Sequence, residues 1–176
     1  MNHSLHITTQ RLELLPCSLE VAQAAVTKNK SKLETLLGVN VPEDWYACEV
    51  LDLFPMYAQM LIDDPSQLGW GMWLMIHIGD STLIGDLGFG GKPNEQGTVE
   101  IGYEVISAYR QQGFAFEAVE ALVNFAFTQP ELKKIIAHSP DDLSASIRIL
   151  EKLGMQQIAR DENLLKWELK LQSRQF

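Results

Sequence analysis

The spacing of apolar and polar positions changes several times along the chain, and each change marks an element. Arg11-Leu12-Glu13-Leu14-Leu15 reads as a strand that Pro16 stops. Ser18 is placed to cap a helix running to about Leu37, with Glu20 in its first turn. Between Gly38 and Trp45, Gly, Asn and Pro fall close together and break it. A second helix is expected around Tyr57 to Ile62, ahead of Asp63-Asp64-Pro65. Trp73 to Ile78 is an apolar strand, and Gly79-Asp80 looks like the turn of a hairpin into Thr82–Phe89. A Gly-, Pro- and Asn-containing loop, 90–97, precedes a strand over Thr98–Ile106.

From Phe114 the period becomes helical. Ala115, Ala118, Val119, Leu122, Val123 and Ala126 form one stripe, and Pro130 ends it. Ile135-Ile136-Ala137 is a short buried strand. A helix over Ser144 to Leu153 closes at Gly154, suited to a left-handed C-cap. In the last strand Leu165, Trp167, Leu169 and Leu171 alternate with Lys166, Glu168 and Lys170, one face buried and one wet. This order predicts a mixed α/β layer with helices packed on a central sheet. No repeat, low-complexity tract or long linker divides the chain, so one domain over 1–176 is expected.

Composition narrows the classes. The chain has 176 residues, 46% hydrophobic and 21% charged, ordinary for a globular protein with a real core. No apolar run approaches a membrane span. The stretch Met1 to His6 does not read as a signal peptide, and a cytoplasmic location with no membrane partner is expected. Cys17 and Cys48 have no metal-ligand spacing, so no metal is expected and the thiols are read as reduced. A net charge of −9 argues against nucleic acid and would suit a cationic substrate, although acidity also simply keeps a protein soluble.

The chemistry concentrates between Val99 and Ala115. Val99-Glu100-Ile101-Gly102-Tyr103-Glu104-Val105 feeds the turn Ile106-Ser107-Ala108-Tyr109, and Arg110-Gln111-Gln112-Gly113-Phe114-Ala115 opens the helix. A helix N-terminus presents unpaired N–H groups and the positive end of the dipole, a natural anion site. Gly113 lets a ligand approach the backbone, Ala115 does not shield the amides, and Arg110 adds a charge that can pair with phosphate. The expectation is a pyrophosphate cradle. It is neither a Walker loop, which needs Gly-Lys-Ser/Thr, nor a dinucleotide fingerprint, which needs three glycines near a first strand.

Arg110-x-x-Gly113-x-Ala115 resembles the Gln/Arg-x-x-Gly-x-Gly/Ala motif of the GNAT acetyltransferases. Glu100-Ile101-Gly102-Tyr103, the helix Ser146-Ile147-Arg148-Ile149-Leu150-Glu151-Lys152-Leu153-Gly154-Met155, and the opening Thr9-Gln10-Arg11-Leu12-Glu13-Leu14 resemble its ribosomal-protein N-terminal acetyltransferase branch. The resemblance covers nearly the whole chain, with gaps around 38–70. It implies a mostly antiparallel mixed sheet, helices on both faces, and a V-shaped split between two parallel strands. It implies acetyl-CoA as co-substrate, with pantetheine on Glu104, Val105 and Ile106 and pyrophosphate on the amides of Gln111, Gln112, Gly113, Phe114 and Ala115. A backbone N–H near Val105 would then stabilise the oxyanion.

For the base, the resemblance implies Glu100, with Glu104 and Asp86 as runners-up; the competing reading of Glu100 is a structural carboxylate. Many members protonate the leaving thiolate with a tyrosine where this chain has Leu150. Ser146 or Ser144 is the candidate here, against a capping role for both. Leu143 stands where the family often has Asn, which puts the usual side-chain contact to CoA in question. His138 ends a short strand and could touch ligand, but reads first as a solvated strand-end residue; His77 reads as a satisfied core residue in preference to a base. Trp45, Tyr46, Trp70 and Trp73 line either an acceptor pocket or the core. The implied reaction is direct acetyl transfer to a primary amine: a protein N-terminus such as that of a ribosomal protein, a basic peptide, or a small amine. Alternatives are a polyamine, amino-acid or aminoglycoside acceptor, or an acyl-CoA-binding module without turnover. The assembly is read as monomer or homodimer.

Overall fold

The computed structural model describes residues 5–173. Met1 to Ser4, part of the stretch read for a targeting signal, lie outside the described residues. The strands are β1 (Ile7–Thr8), β2 (Leu12–Pro16), β3 (Met72–His77), β4 (Thr82–Phe89), β5 (Thr98–Val105), β6 (Lys134–Pro140), β7 (Gln156–Asp161) and β8 (Leu164–Lys170). The helices are α1 (Leu19–Val26), α2 (Lys30–Leu37), α3 (Phe54–Asp63), α4 (Phe114–Ala126) and α5 (Ser144–Lys152), with short 3-10 turns between some of them. No described helix is long and apolar enough to cross a membrane.

The strands form one sheet in the order β1-β2-β3-β4-β5-β6-β8-β7. Every named pair is antiparallel except β5 with β6. The mixed α/β expectation therefore holds, as does the expected parallel pair. Helices cover both faces. On one, Trp45 packs edge-on to Phe54 at the start of α3, and α3 packs on α1. On the other, Phe125 of α4 meets Trp73 at 5.6 Å. Trp45 and Trp73 are fully buried, so both belong to the core.

Three elements differ from the sequence reading. The helix expected from Ser18 to Leu37 is two helices. Lys28 has a φ of 49°, which ends α1, and Asn29 accepts a hydrogen bond from the Lys32 N–H to cap α2. Ser18 caps α1 as expected, accepting from Val21 N–H. β1 is too short to show a period, and β7 is exposed throughout and carries no apolar alternation. Both exist by pairing with neighbours whose patterns are clear.

The register at β4 positions the site. Met75 pairs with Gly85 and Ile76 with Leu83, so Ile84 is an extra residue that bulges out. Gly85 lies opposite Val105. A Cβ on Gly85 would sit 2.2 Å from the Glu104 carbonyl oxygen and 3.1 Å from the Val105 Cα, both backbone atoms that cannot rotate away. Gly85→Ala should therefore push β4 off β5 and cost about 1–3 kcal/mol. Urea denaturation measures this; wild-type stability would show that the two strands are not packed this closely.

Candidate active site

β5 is shared unequally between its two neighbours. On one edge it pairs with β4 from Ile101 to Val105. On the other it pairs with β6 only at Thr98, Val99 and Glu100, and then the two parallel strands part. Ile106 donates its N–H to the Ile84 carbonyl at 2.8 Å, and the Glu100 carbonyl accepts from Gly90 at 3.2 Å. Backbone groups alternate sides along a strand. Glu100, Gly102, Glu104 and Ile106 thus turn their backbones to β4, while Tyr103 and Val105 turn theirs into the widening gap. This corrects the sequence reading: of Glu104, Val105 and Ile106, only Val105 offers its backbone to the opening, and Tyr103 joins it.

Next to the gap the chain turns into α4. Gln111 and Gly113 have φ of 59° and 83°, two left-handed residues in three positions. No side chain caps α4, and the first helical bond runs from Glu117 N–H to the Gly113 carbonyl. Among the described residues, the N–H groups of Gln111, Gln112, Gly113, Phe114, Ala115 and Phe116 have no protein acceptor. Six unclaimed donors at a positive dipole end can hold a phosphate. Glu117, in the first turn, would oppose an anion, but its charge is already met. Oε1 accepts from Thr9 Oγ1 (2.6 Å) and Arg11 N–H (2.9 Å), and Oε2 accepts from Arg11 Nε (2.7 Å). Burial pushes this carboxyl up, and the Thr9 and Arg11 bonds outweigh it, holding it below its ordinary value.

Arg110 is not aimed at the amides. Its Nε donates to the Val105 carbonyl at 2.7 Å, and its Nη2 lies 3.6 Å from Glu104 Oε1. The expected phosphate partner instead ties the turn to the end of β5. Gln112 donates its side-chain amide to the Ala108 carbonyl. Phe114 is buried, its ring against His77 and Tyr109. His77 Nδ1 is 3.0 Å from Asp80 Oδ2, so it is a satisfied residue, as read.

At the base of the gap Glu100 meets His138, with Oε1 2.6 Å from Nδ1. His138 lies within β6, which runs on to Pro140; it is exposed, as the sequence reading had it, and pairs with Glu100. On the α5 side, Tyr103 Oη lies 3.0 Å from Ser146 Oγ. Neither Ser146 nor Ser144 caps α5, whose N-cap is Leu143 without a side-chain bond, so the capping role is not met. Leu150 is fully buried in the core.

On the opposite face Asp86 is 3% exposed and accepts from Trp45 Nε1 at 3.2 Å. It stands across from Glu104. Cys48 is buried beside both carboxylates; burial first, then Glu104 and Asp86, push its thiol up to about 12, so it is no nucleophile near neutrality. Cys17 and Cys48 are free thiols.

A model of the acetyltransferase (GNAT) domain matches residues 20–156, most of the chain. The chain belongs to the GNAT acetyltransferase family. It is 26% identical over 148 residues to the uncharacterized N-acetyltransferase YjdG of Bacillus subtilis, covering 84% of this chain and 88% of that protein. Two solved structures share the GNAT fold. The ribosomal-protein-S5-alanine acetyltransferase of Vibrio fischeri aligns with a TM-score of 0.69 at 12% identity, over 94% of this chain and 96% of that one. RimL, a ribosomal L7/L12 alpha-N-protein acetyltransferase in complex with coenzyme A, aligns at 0.66 and 17% identity, over 97% and 100%. The chain is an N-acetyltransferase with acetyl-CoA as co-substrate, and the free amides before α4 fit a phosphorylated one.

Burial, with a smaller push from Glu104, raises Asp86 to about 7 despite the Trp45 bond. Its folded value exceeds its unfolded one, so its contribution is most favourable below about pH 4. It is lost progressively as pH rises toward about 7. Asp86→Asn should stabilise the protein at pH 8 relative to wild type by a few kcal/mol at most and leave pH 4 stability nearly unchanged. Denaturation midpoints across that range test it; parallel pH profiles for the two proteins would contradict the assignment.

Proposed function

We propose that the protein moves the acetyl group of acetyl-CoA directly onto a primary amine in a ternary complex. The observation that carries this is the pairing of an open strand edge, Tyr103 and Val105, with six unclaimed amides at Gln111 to Phe116. On this reading residues 1–176 form one acetyltransferase domain, the diphosphate rests on those amides, and pantetheine runs along Tyr103 and Val105. The Val105 N–H supports the oxyanion. Holding both reactants in the gap supplies much of the acceleration.

An ammonium ion is not a nucleophile, so a base must take its proton. Glu100 and His138 serve as a pair. Glu100 holds Nδ1–H of the imidazole and fixes its tautomer, which leaves Nε2 to accept the proton, directly or through water. Asp86 is a weaker candidate because it lies beneath Trp45. The Ser146 hydroxyl protonates the departing thiolate on this reading, supported by its bond to Tyr103. The acceptor carries positive charge before it reacts: Glu104 lies at the end of β5, and the protein is acidic overall. A protein N-terminus and a small amine both satisfy this, and the RimL and S5-alanine acetyltransferase folds support the first.

Free-thiol release from acetyl-CoA, followed across amines and N-terminal peptides, tests the reading. With an active acceptor, Glu100→Gln and His138→Gln should each lower turnover roughly 10²–10⁴-fold near neutral pH. CoA affinity should change little, and the rate should recover at higher pH, where more acceptor is already neutral. Full activity in both variants would put the base elsewhere. Wild type that binds CoA but acetylates no amine would favour a binding module.

A further inference from the structure

Arg11 lies about a hundred residues before the amide loop, yet its side chain reaches it. Nη1 donates to the Gln112 carbonyl at 2.9 Å. Nε bonds Glu117, and the guanidinium carbon sits 4.2 Å above the Phe114 ring. The backbone N–H of Arg11 also goes to Glu117, so the arginine is anchored at both ends to the first turn of α4. Nη2 occupies the space beside Gly113, where a Cβ would lie 3.3 Å away.

One peptide plane makes these contacts consequential. The Gln112 carbonyl and the Gly113 N–H belong to the same trans peptide and point in opposite directions. By drawing the carbonyl toward itself, Arg11 turns the Gly113 N–H away, toward the open side of the loop. The left-handed φ of Gly113 follows from the same peptide orientation. Arg110, in contrast, is tied to Val105 and Glu104. We infer that Arg11 is the positioning residue of the diphosphate loop, setting the direction of the amides that receive CoA while neutralising Glu117 beneath them. This rests on the assignment of that loop to CoA.

Arg11→Lys tests it. A lysine keeps the charge but lacks the fork that bonds Glu117 and Gln112 together. Calorimetry should show CoA affinity falling about tenfold, the effect of one lost charge-assisted bond. KM for acetyl-CoA should rise by a similar factor while kcat and the acceptor KM stay within about twofold. Thr9→Val is the control: it removes the hydroxyl's bonds to Glu117 and to the Leu12 backbone without touching the loop, and should leave CoA affinity unchanged. Arg11→Met, whose stem still covers the Phe114 ring, gives the same reading if the lysine variant does not fold. Folded Arg11 variants that bind CoA like wild type would overturn the inference, and so would an equal loss in Thr9→Val. Wild type that fails to bind CoA would overturn the loop assignment itself.

Discussion

The structure depends on β5 being held along one edge and released along the other. β4 takes the backbone of alternate residues up to Ile106, and the bulge at Ile84 with Gly85 behind Val105 keeps the two strands close. β6 follows β5 for only three residues, while its other edge stays paired with β8 over all seven of its own. A sheet cannot leave polar backbone unpaired in its interior without cost. Arg110 takes the Val105 carbonyl, so the edge left for a hydrogen-bonding ligand is the backbone of Tyr103 and the Val105 N–H, and the end of β5 leads directly into the turn that opens α4.

That arrangement separates the tasks of the site. On the proposed reading, cofactor recognition falls to backbone groups whose directions are set from outside the loop: Arg110 ties the turn to Val105, and Arg11 ties the Gln112 peptide to α4. On the proposed mechanism, proton transfer falls to Glu100 and His138 at the base of the gap, from the two strands that part there. The carboxyl of Asp86 is buried on the face of α1 and α3, where it accepts from Trp45.

Much of this was readable from the chain, for physical reasons. The α4 stripe has a helical period that only a one-sided helix satisfies, and Gly113 ahead of it marks the open N-terminus. The β8 alternation is equally plain. Most of what escaped reading depends on a second segment, and one feature on a local backbone turn. The break at Asn29 hides in a polar run compatible with a helix until Lys28 adopts a positive φ. β7 has no pattern of its own. Glu100 and His138, 38 residues apart, meet only because β5 and β6 are parallel neighbours. The orientation of Arg110, and the turning of the Glu104 and Ile106 backbones toward β4, follow from a register that the sequence does not display.

The account's central claim is that backbone amides at the end of β5 and the start of α4 receive the co-substrate. Amide hydrogen exchange, with and without CoA, measures this most directly, since exchange slows where an N–H gains an acceptor. The account predicts slowed exchange over Gln111 to Phe116 and at Tyr103 and Val105, with no change across β7. Protection by CoA that spares Gln111 to Phe116 would contradict it.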